Sequence, residues 1–192
     1  MDARTLTPLL QATVVTPEQA LLIKPFGLDM KVLLTTETTG GAISVIMAWH
    51  RPGEGPPDHV HFSQEEIFFI VEGTYEVTTG GRTATAGPGT IVFVPRNVVH
   101  RFTNAGDTTA CVLDWSLPGG QDHYFRAISE LAAGGGFTGE KVTVINRKFD
   151  TAFPTAGELH AREDPLHPGQ SPNTRSNRNE SQRIFAHRSL DV

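Results

Sequence analysis

Short runs rich in Val, Ile, Thr and Phe alternate with Gly and Pro turns along most of this chain, and this pattern restricts the fold more than any other feature. β-Branched and aromatic residues favour extended backbone, whereas Gly and Pro end strands or form tight turns. The runs that fit a strand are Met30–Thr36, Ala42–His50, Glu66–Val71, Thr74–Thr78, Arg82–Ala86, Thr90–Val94, His100–Asn104 and Thr109–Ser116. The sequence therefore predicts an all-β sandwich or barrel.

The pattern changes after residue 120, where apolar residues recur at helical spacing and predict a helix over His123–Ala133. We expect Lys141–Asn146 to add a short strand or to fold back along the body. No repeat is present, so one barrel is expected. The resulting division is 1–40 for N-terminal strands and arm, 41–120 for the barrel core, 121–156 for the helix and fold-back segment, and 157–192 for a disordered or loosely docked tail.

Charge and hydropathy exclude several classes of partner. The chain of 192 residues has 16 Lys and Arg against 21 Asp and Glu, a net charge of −5 without the positive field that nucleic-acid binding requires. Apolar runs such as Ile67–Val71 are far shorter than the roughly 18–20 residues that cross a bilayer. Met1–Leu10 lacks the charged-then-apolar order of a secretion signal, so we expect a cytoplasmic protein with no nucleic-acid or membrane partner.

The single cysteine, Cys111, leaves no internal disulfide and no cysteine-rich zinc site, so a metal site here must use His and carboxylates. His59 and His61 share one face of an extended segment, because side chains alternate along a strand. A carboxylate at Glu65 or Glu66 can return on the following strand, and His100 opens a later strand. Three imidazoles and one carboxylate suit Fe, Mn, Ni, Co, Cu or Zn.

The same residues resemble the two motifs of the cupin family. The first, G-x5-H-x-H-x4-E-x6-G, matches at Gly53, His59, His61, Glu66 and Gly73, and the second, G-x5-P-x-G-x2-H-x3-N, matches at Gly89, Pro95, His100 and Asn104. Nine of ten positions agree. Asn97 replaces the usual Gly, and Asn is the non-glycine residue that best tolerates a left-handed backbone. The spacing to Gly73 selects Glu66 over Glu65.

The resemblance implies a double-stranded β-helix, the cupin jelly-roll barrel, with one divalent transition metal held by His59, His61, Glu66 and His100. The run after Glu66 is most similar to quercetin-dioxygenase-like cupins. That similarity implies an oxidoreductase in which the metal binds an enol or phenolate oxygen of a small substrate, O2 is the co-substrate, and Glu66 is the catalytic base. A Lewis-acid isomerase, cyclase or hydrolase acting on a carbonyl compound and a non-catalytic ligand-binding barrel are the alternatives.

Strand alternation around these ligands predicts an apolar substrate pocket, with ordinary barrel core as the alternative for each residue. Its expected lining comprises Met47, Trp49, Phe68, Ile70, Phe102, Leu113 and Trp115. An apolar lining favours an aromatic or otherwise apolar small molecule over a sugar phosphate. The resemblance also implies a homodimer, in which Leu21–Ile23 either pairs with a neighbouring sheet or packs on its own barrel.

Overall fold

The structure, a computed structural model, describes residues 10–154. Its strands are β1 (Leu21–Ile23), β2 (Met30–Leu34), β3 (Ser44–His50), β4 (Glu65–Glu72), β5 (Tyr75–Thr79), β6 (Arg82–Ala86), β7 (Ile91–Val94), β8 (His100–Asn104) and β9 (Ala110–Leu117). The helices α1 (Gln121–Ala133) and α2 (Gly139–Lys148) follow. None of the described helices is long and apolar enough to span a membrane. The predicted tail, 157–192, lies outside the described residues.

Two antiparallel sheets form the body, one ordered β1-β2-β3-β9-β4-β7 and the other β6-β5-β8. The all-β prediction is confirmed, and each predicted strand corresponds to one of β2–β9. The segment Leu21–Ile23 pairs with β2 of its own chain. Buried apolar side chains fill the space between the sheets, with the rings of Phe68 and Phe102 packed edge to face at a centroid distance of 4.6 Å.

The predicted helix is confirmed as α1. Of the two alternatives for Lys141–Asn146, the short strand is wrong. This segment belongs to α2, whose first turn is capped by the Thr138 side chain accepting from the Lys141 amide. A side chain that accepts an unpaired N–H stabilises a helix start. The Tyr124 hydroxyl donates to Asn146, so α2 folds back against α1.

The two motif regions are hydrogen bonded directly to each other. The amides of His59 and His100 each donate to the other's carbonyl at 2.9 Å, and the loop before His59 follows β8. Asn97 has a φ of 65°, the left-handed backbone expected at this turn, and its amide donates to the His61 carbonyl. The backbone therefore places both motifs at one end of the barrel.

Gly55 permits the close approach of this loop to β8. A Cβ at residue 55 would lie 1.9 Å from the Phe102 carbonyl oxygen, whereas one at Gly87 would meet nothing within 4 Å. We expect Gly55→Ala to lower the free energy of unfolding by about 1–3 kcal/mol, because backbone must move to admit the methyl group. Neither glycine has a left-handed φ, so Gly87→Ala is the matched control. It should change the free energy of unfolding by less than about 0.5 kcal/mol. Equal denaturant midpoints for both variants would contradict this packing.

Candidate metal centre

Four buried side chains from the two motifs meet at the end of the barrel. His59, His61, Glu66 and His100 each offer one possible ligand atom, and these atoms all lie within 4.8 Å of one another. The segment before β4 contributes the first two histidines, β4 the carboxylate, and β8 the last histidine. Glu65, on the opposite face of β4, instead forms an ion pair with Arg96 at 2.6 Å. The structure thus places Glu66, rather than Glu65, among the histidines.

Each imidazole in this group is fixed by a hydrogen bond to a backbone carbonyl. The Nδ1 atoms of His59, His61 and His100 lie 2.9, 3.0 and 2.9 Å from the carbonyl oxygens of Pro57, Asp150 and Val98. A carbonyl can only accept, so each Nδ1 carries a proton and donates it. In a neutral imidazole the Nε2 atom then holds a lone pair.

These Nε2 atoms all face one carboxylate oxygen. Glu66 Oε2 lies 3.8, 3.4 and 2.6 Å from the Nε2 atoms of His59, His61 and His100, and His61 Nε2 has no hydrogen-bond partner. The lone pairs of three Nε2 atoms and the Glu66 carboxylate repel one another unless a cation lies between them. Three added protons would create three buried imidazolium charges, whereas one divalent ion satisfies the whole group, so the residues fit a metal with nitrogen and oxygen ligands.

Glu66 and Asp114 are neighbouring buried acids with opposite behaviour. Burial alone would raise the pKa of Glu66, but the three surrounding imidazoles, with His100 in hydrogen-bond contact at 2.6 Å, outweigh it and hold that pKa well below its ordinary value. Burial, followed by the charge of Glu66, raises the pKa of the Asp114 carboxyl. The Gln121 amide donates to the second oxygen of Glu66, Oε1, at 2.7 Å. The site therefore carries one carboxylate charge on a side chain fixed by α1.

The segment after α2 holds His61 in place. The Asp150 carbonyl accepts from His61 Nδ1, and its carboxylate accepts from the amides of Phe62 and Ser63 and from the Ser63 hydroxyl. Asp150 has a φ of 55°, in the left-handed region that Asp and Asn tolerate better than most residues. Two backbone hydrogen bonds between Val60 and Ala152 continue the pairing.

An apolar cavity of about 340 Å³ opens beside this group. Its walls come from β2, β3, β9, α1, the turn at Pro25–Gly27, the loop before His59 and the segment after α2. The lining includes Met30, Ile46, Ala48, His50, Phe102, Val112, Asp114, Gln121, Tyr124, Phe125, Thr151 and Phe153. Burial lowers the pKa of His50 to about 4, so this histidine is neutral. Among the described residues that line the cavity there is no Lys or Arg.

The predicted lining is partly wrong. Phe102 lines the cavity, and Phe68 and Ile70 fill the adjoining core, but Met47, Trp49, Leu113 and Trp115 do not line it. Those four residues lie on the outer face of the larger sheet, while their neighbours Ile46, Ala48, Val112 and Asp114 point inward. Both faces of β3 and β9 carry apolar residues, so alternation alone could not tell which face was inside.

The comparison with known families agrees with this geometry. Residues 50–116 match the family model described as a cupin domain. The barrel has the cupin fold. Two solved cupin-fold structures illustrate the likeness: KdgF from Halomonas sp., with a TM-score of 0.52, 18% identity and coverage of 59% of this chain and 99% of that one; and an RmlC-like cupin from Shewanella frigidimarina, with a TM-score of 0.50, 21% identity and coverage of 60% and 99%.

Curated relatives are similar to about half of this chain. Polyketide synthase CurC from Streptomyces cyaneus is 36% identical over 85 residues, covering 44% of this chain and 55% of its own. Protein SchB from Streptomyces halstedii is 38% identical over 86 residues, covering 44% and 62%. Quercetin 2,3-dioxygenase from Bacillus subtilis is 26% identical over 100 residues, covering 52% and 29%. The matched region therefore spans about half to three fifths of the first two relatives.

Sequence reasoning missed three parts of this cupin site: Asp114, Gln121 and the segment Asp150–Phe153. A signal existed for the first, since Asp114 is the charged residue inside an apolar strand run. None existed for Gln121, because only the folded position of α1 brings its first residue to Glu66. For the last segment the sequence predicts only a fold-back, with no contact to the four clustered residues.

Metal content tests the four-residue group. Protein loaded with a divalent transition metal should bind about one ion per chain, and His61→Ala or Glu66→Gln should retain less than about a tenth of it, because each removes a ligand from a buried site. Glu65→Gln is the matched control for Glu66→Gln, since Glu65 forms an ion pair with Arg96 outside this group. Elemental analysis by mass spectrometry gives the stoichiometry, and equal metal in Glu65→Gln and Glu66→Gln would contradict the assignment.

Asp150 should affect metal affinity without being a ligand. We expect Asp150→Ala to raise the metal dissociation constant about tenfold or more, because it removes the acceptor for three donors and disfavours the left-handed backbone that holds His61. Asp150→Asn keeps an oxygen and tolerates this backbone, so its effect should be smaller. Competition with a chromogenic chelator measures the constant, with Asp107→Ala in the turn before β9 as a control. Identical constants for Asp150→Ala and the unmodified protein would refute the role.

Proposed function

We propose that this chain is a metal-dependent enzyme of the dioxygenase type that acts on a small aromatic or enolic substrate. The observation that carries the proposal is the position of a three-histidine, one-carboxylate group against an apolar cavity. Such a cavity favours flat apolar molecules, and the absence of Lys and Arg from its described lining disfavours phosphorylated ones. Fe, Mn, Ni, Co and Cu are the proposed metals for this activity, since each can change its redox state.

A divalent metal bound here would act as a Lewis acid and lower the pKa of a phenol or enol oxygen beside it. Glu66 is the proposed base that takes the proton, because its carboxylate faces the same point as the three imidazoles. The hydrogen bond from Gln121 to Glu66 Oε1 leaves Oε2 directed at that point. Phe102, Tyr124 and Phe125 line the cavity and would limit the access of water to the proton-transfer site.

The named relatives support this substrate class and add a second candidate. Quercetin 2,3-dioxygenase, by its name, is a dioxygenase, and it supports the first proposal. The protein named Polyketide synthase CurC is more similar, at 36% identity. Polyketides carry enolisable carbonyl groups, so this relative supports a second candidate, a Lewis-acid cyclase or isomerase that acts on such a compound without O2. The two candidates share Glu66 as the base and the apolar cavity, and they differ in whether O2 is consumed.

Oxygen dependence separates the two candidates. We expect metal-loaded protein to consume O2 in proportion to loss of a flavonol or enediol substrate, measured with an oxygen electrode and by chromatography. Glu66→Gln should lower kcat per bound metal by about a hundredfold or more, since a positioned base contributes that much, while Glu65→Gln should leave kcat unchanged. Turnover at the same rate without O2 would overturn the dioxygenase proposal in favour of the cyclase or isomerase.

A further inference from the structure

One wall of the otherwise apolar cavity is polar. Gln121, at the start of α1, and Asp114, in the middle of β9, both line the cavity and are only 4% and 6% exposed. Each has a buried side-chain oxygen, Gln121 Oε1 or Asp114 Oδ1, that has no hydrogen-bond partner among the described residues. Buried polar atoms are almost always paired, so two unpaired oxygens on one wall require an explanation.

The orientation of the Gln121 amide follows from its neighbour. Its Nε2 atom lies 2.7 Å from Glu66 Oε1, and an ionised carboxylate can only accept. The nitrogen must therefore face Glu66, which leaves the amide oxygen on the other side as an acceptor. A ligand that pairs with this oxygen must present an O–H or N–H donor.

The start of α1 is firmly anchored, so this acceptor has a fixed position. The buried carboxylate of Asp122 accepts from the Thr36 amide and hydroxyl. The Gln64 side chain donates to the carbonyls of Pro118 and Gly119, just before the helix. These contacts hold the first turn of α1 against the barrel without using the Gln121 oxygen.

Asp114 occupies a strand position that the fold alone would fill with an apolar residue. Its register neighbours on the same sheet are Ile46 and Phe68, and Val112 lies two residues away on the same face of β9. All three neighbours are buried and apolar. A carboxyl oxygen can accept a hydrogen bond in either protonation state, so Asp114 provides a second acceptor on the wall that contains Gln121.

We propose that Gln121 and Asp114 form a subsite that accepts a hydrogen bond from a hydroxyl group of the substrate. The inference rests on the proposed function, in which one phenolic or enolic oxygen lies beside Glu66 and the histidines. A substrate that satisfies both positions carries a second hydroxyl on an apolar ring and does not chelate the metal with both oxygens. The structure therefore assigns a preference for dihydroxylated aromatic compounds over their monomethyl ethers.

Two pairs of probes test this preference by binding alone: resorcinol against 3-methoxyphenol, and hydroquinone against 4-methoxyphenol. In each pair the ring and one hydroxyl are kept, and the second donor is removed. We expect calorimetry on the metal-loaded protein without O2 to give a dissociation constant about fivefold or more lower for the dihydroxy member of at least one pair. Gln121→Met should bring the two constants within about twofold, while Glu130→Ala, on the exposed side of α1, should keep the difference.

A merely structural effect of Gln121→Met would weaken both members of a pair equally and leave their ratio unchanged. The subsite is overturned if Gln121→Met keeps the same ratio of dissociation constants within a pair as the unmodified protein. It is also overturned if, in the unmodified protein, the two members of each pair bind with equal dissociation constants. If Gln121→Met does not fold, Asp114→Leu, a change of similar size, decides by the same ratio. Metal content is measured on each sample, and turnover is not required, so failure of the dioxygenase proposal remains distinguishable from failure of the subsite.

Discussion

Three imidazole N–H groups donating to backbone carbonyls are the constraint on which this site depends. Because the Nδ1 atoms of His59, His61 and His100 donate to carbonyl oxygens, Nε2 is the ring nitrogen that remains for a metal, and all three Nε2 atoms face the carboxylate of Glu66. Two of these carbonyls lie two residues from their histidine, and the third comes from Asp150, 89 residues after His61. The segment after α2 is therefore part of the candidate metal centre as well as a wall of the cavity.

The four clustered residues lie between apolar cavity walls and one polar wall that contains Gln121. Apolar walls remove water from the group and strengthen the electrostatic effect of any charge held there. On the polar side, Gln121 donates to Glu66 with one end of its amide and offers an acceptor with the other. This arrangement connects α1, which lies outside the two sequence motifs, to the carboxylate on β4. Orientation of Glu66 and recognition of a substrate hydroxyl would thus involve one side chain.

Local sequence was sufficient to predict the strands, α1 and the four clustered residues, since each depends on short-range patterning or motif spacing. The Asn97 turn was predicted for the same reason, because the backbone requirement there is local. Prediction failed at Met47, Trp49, Leu113 and Trp115. Both faces of the sheet are apolar there, so no polar residues mark the outer face of the strands. It also failed for α2 and missed Gln121 and Asp150, whose roles depend on contacts between distant parts of the chain.

The most direct test of the central claim is the tautomer and ligation state of the three histidines, observed by long-range 1H–15N NMR of the imidazole nitrogens in the zinc-loaded protein. The structure predicts that His59, His61 and His100 all carry the proton on Nδ1, with each Nε2 signal shifted by the metal relative to the metal-free protein. A proton on Nε2 of any of the three in the loaded protein, or Nε2 signals unchanged by zinc, would contradict the account.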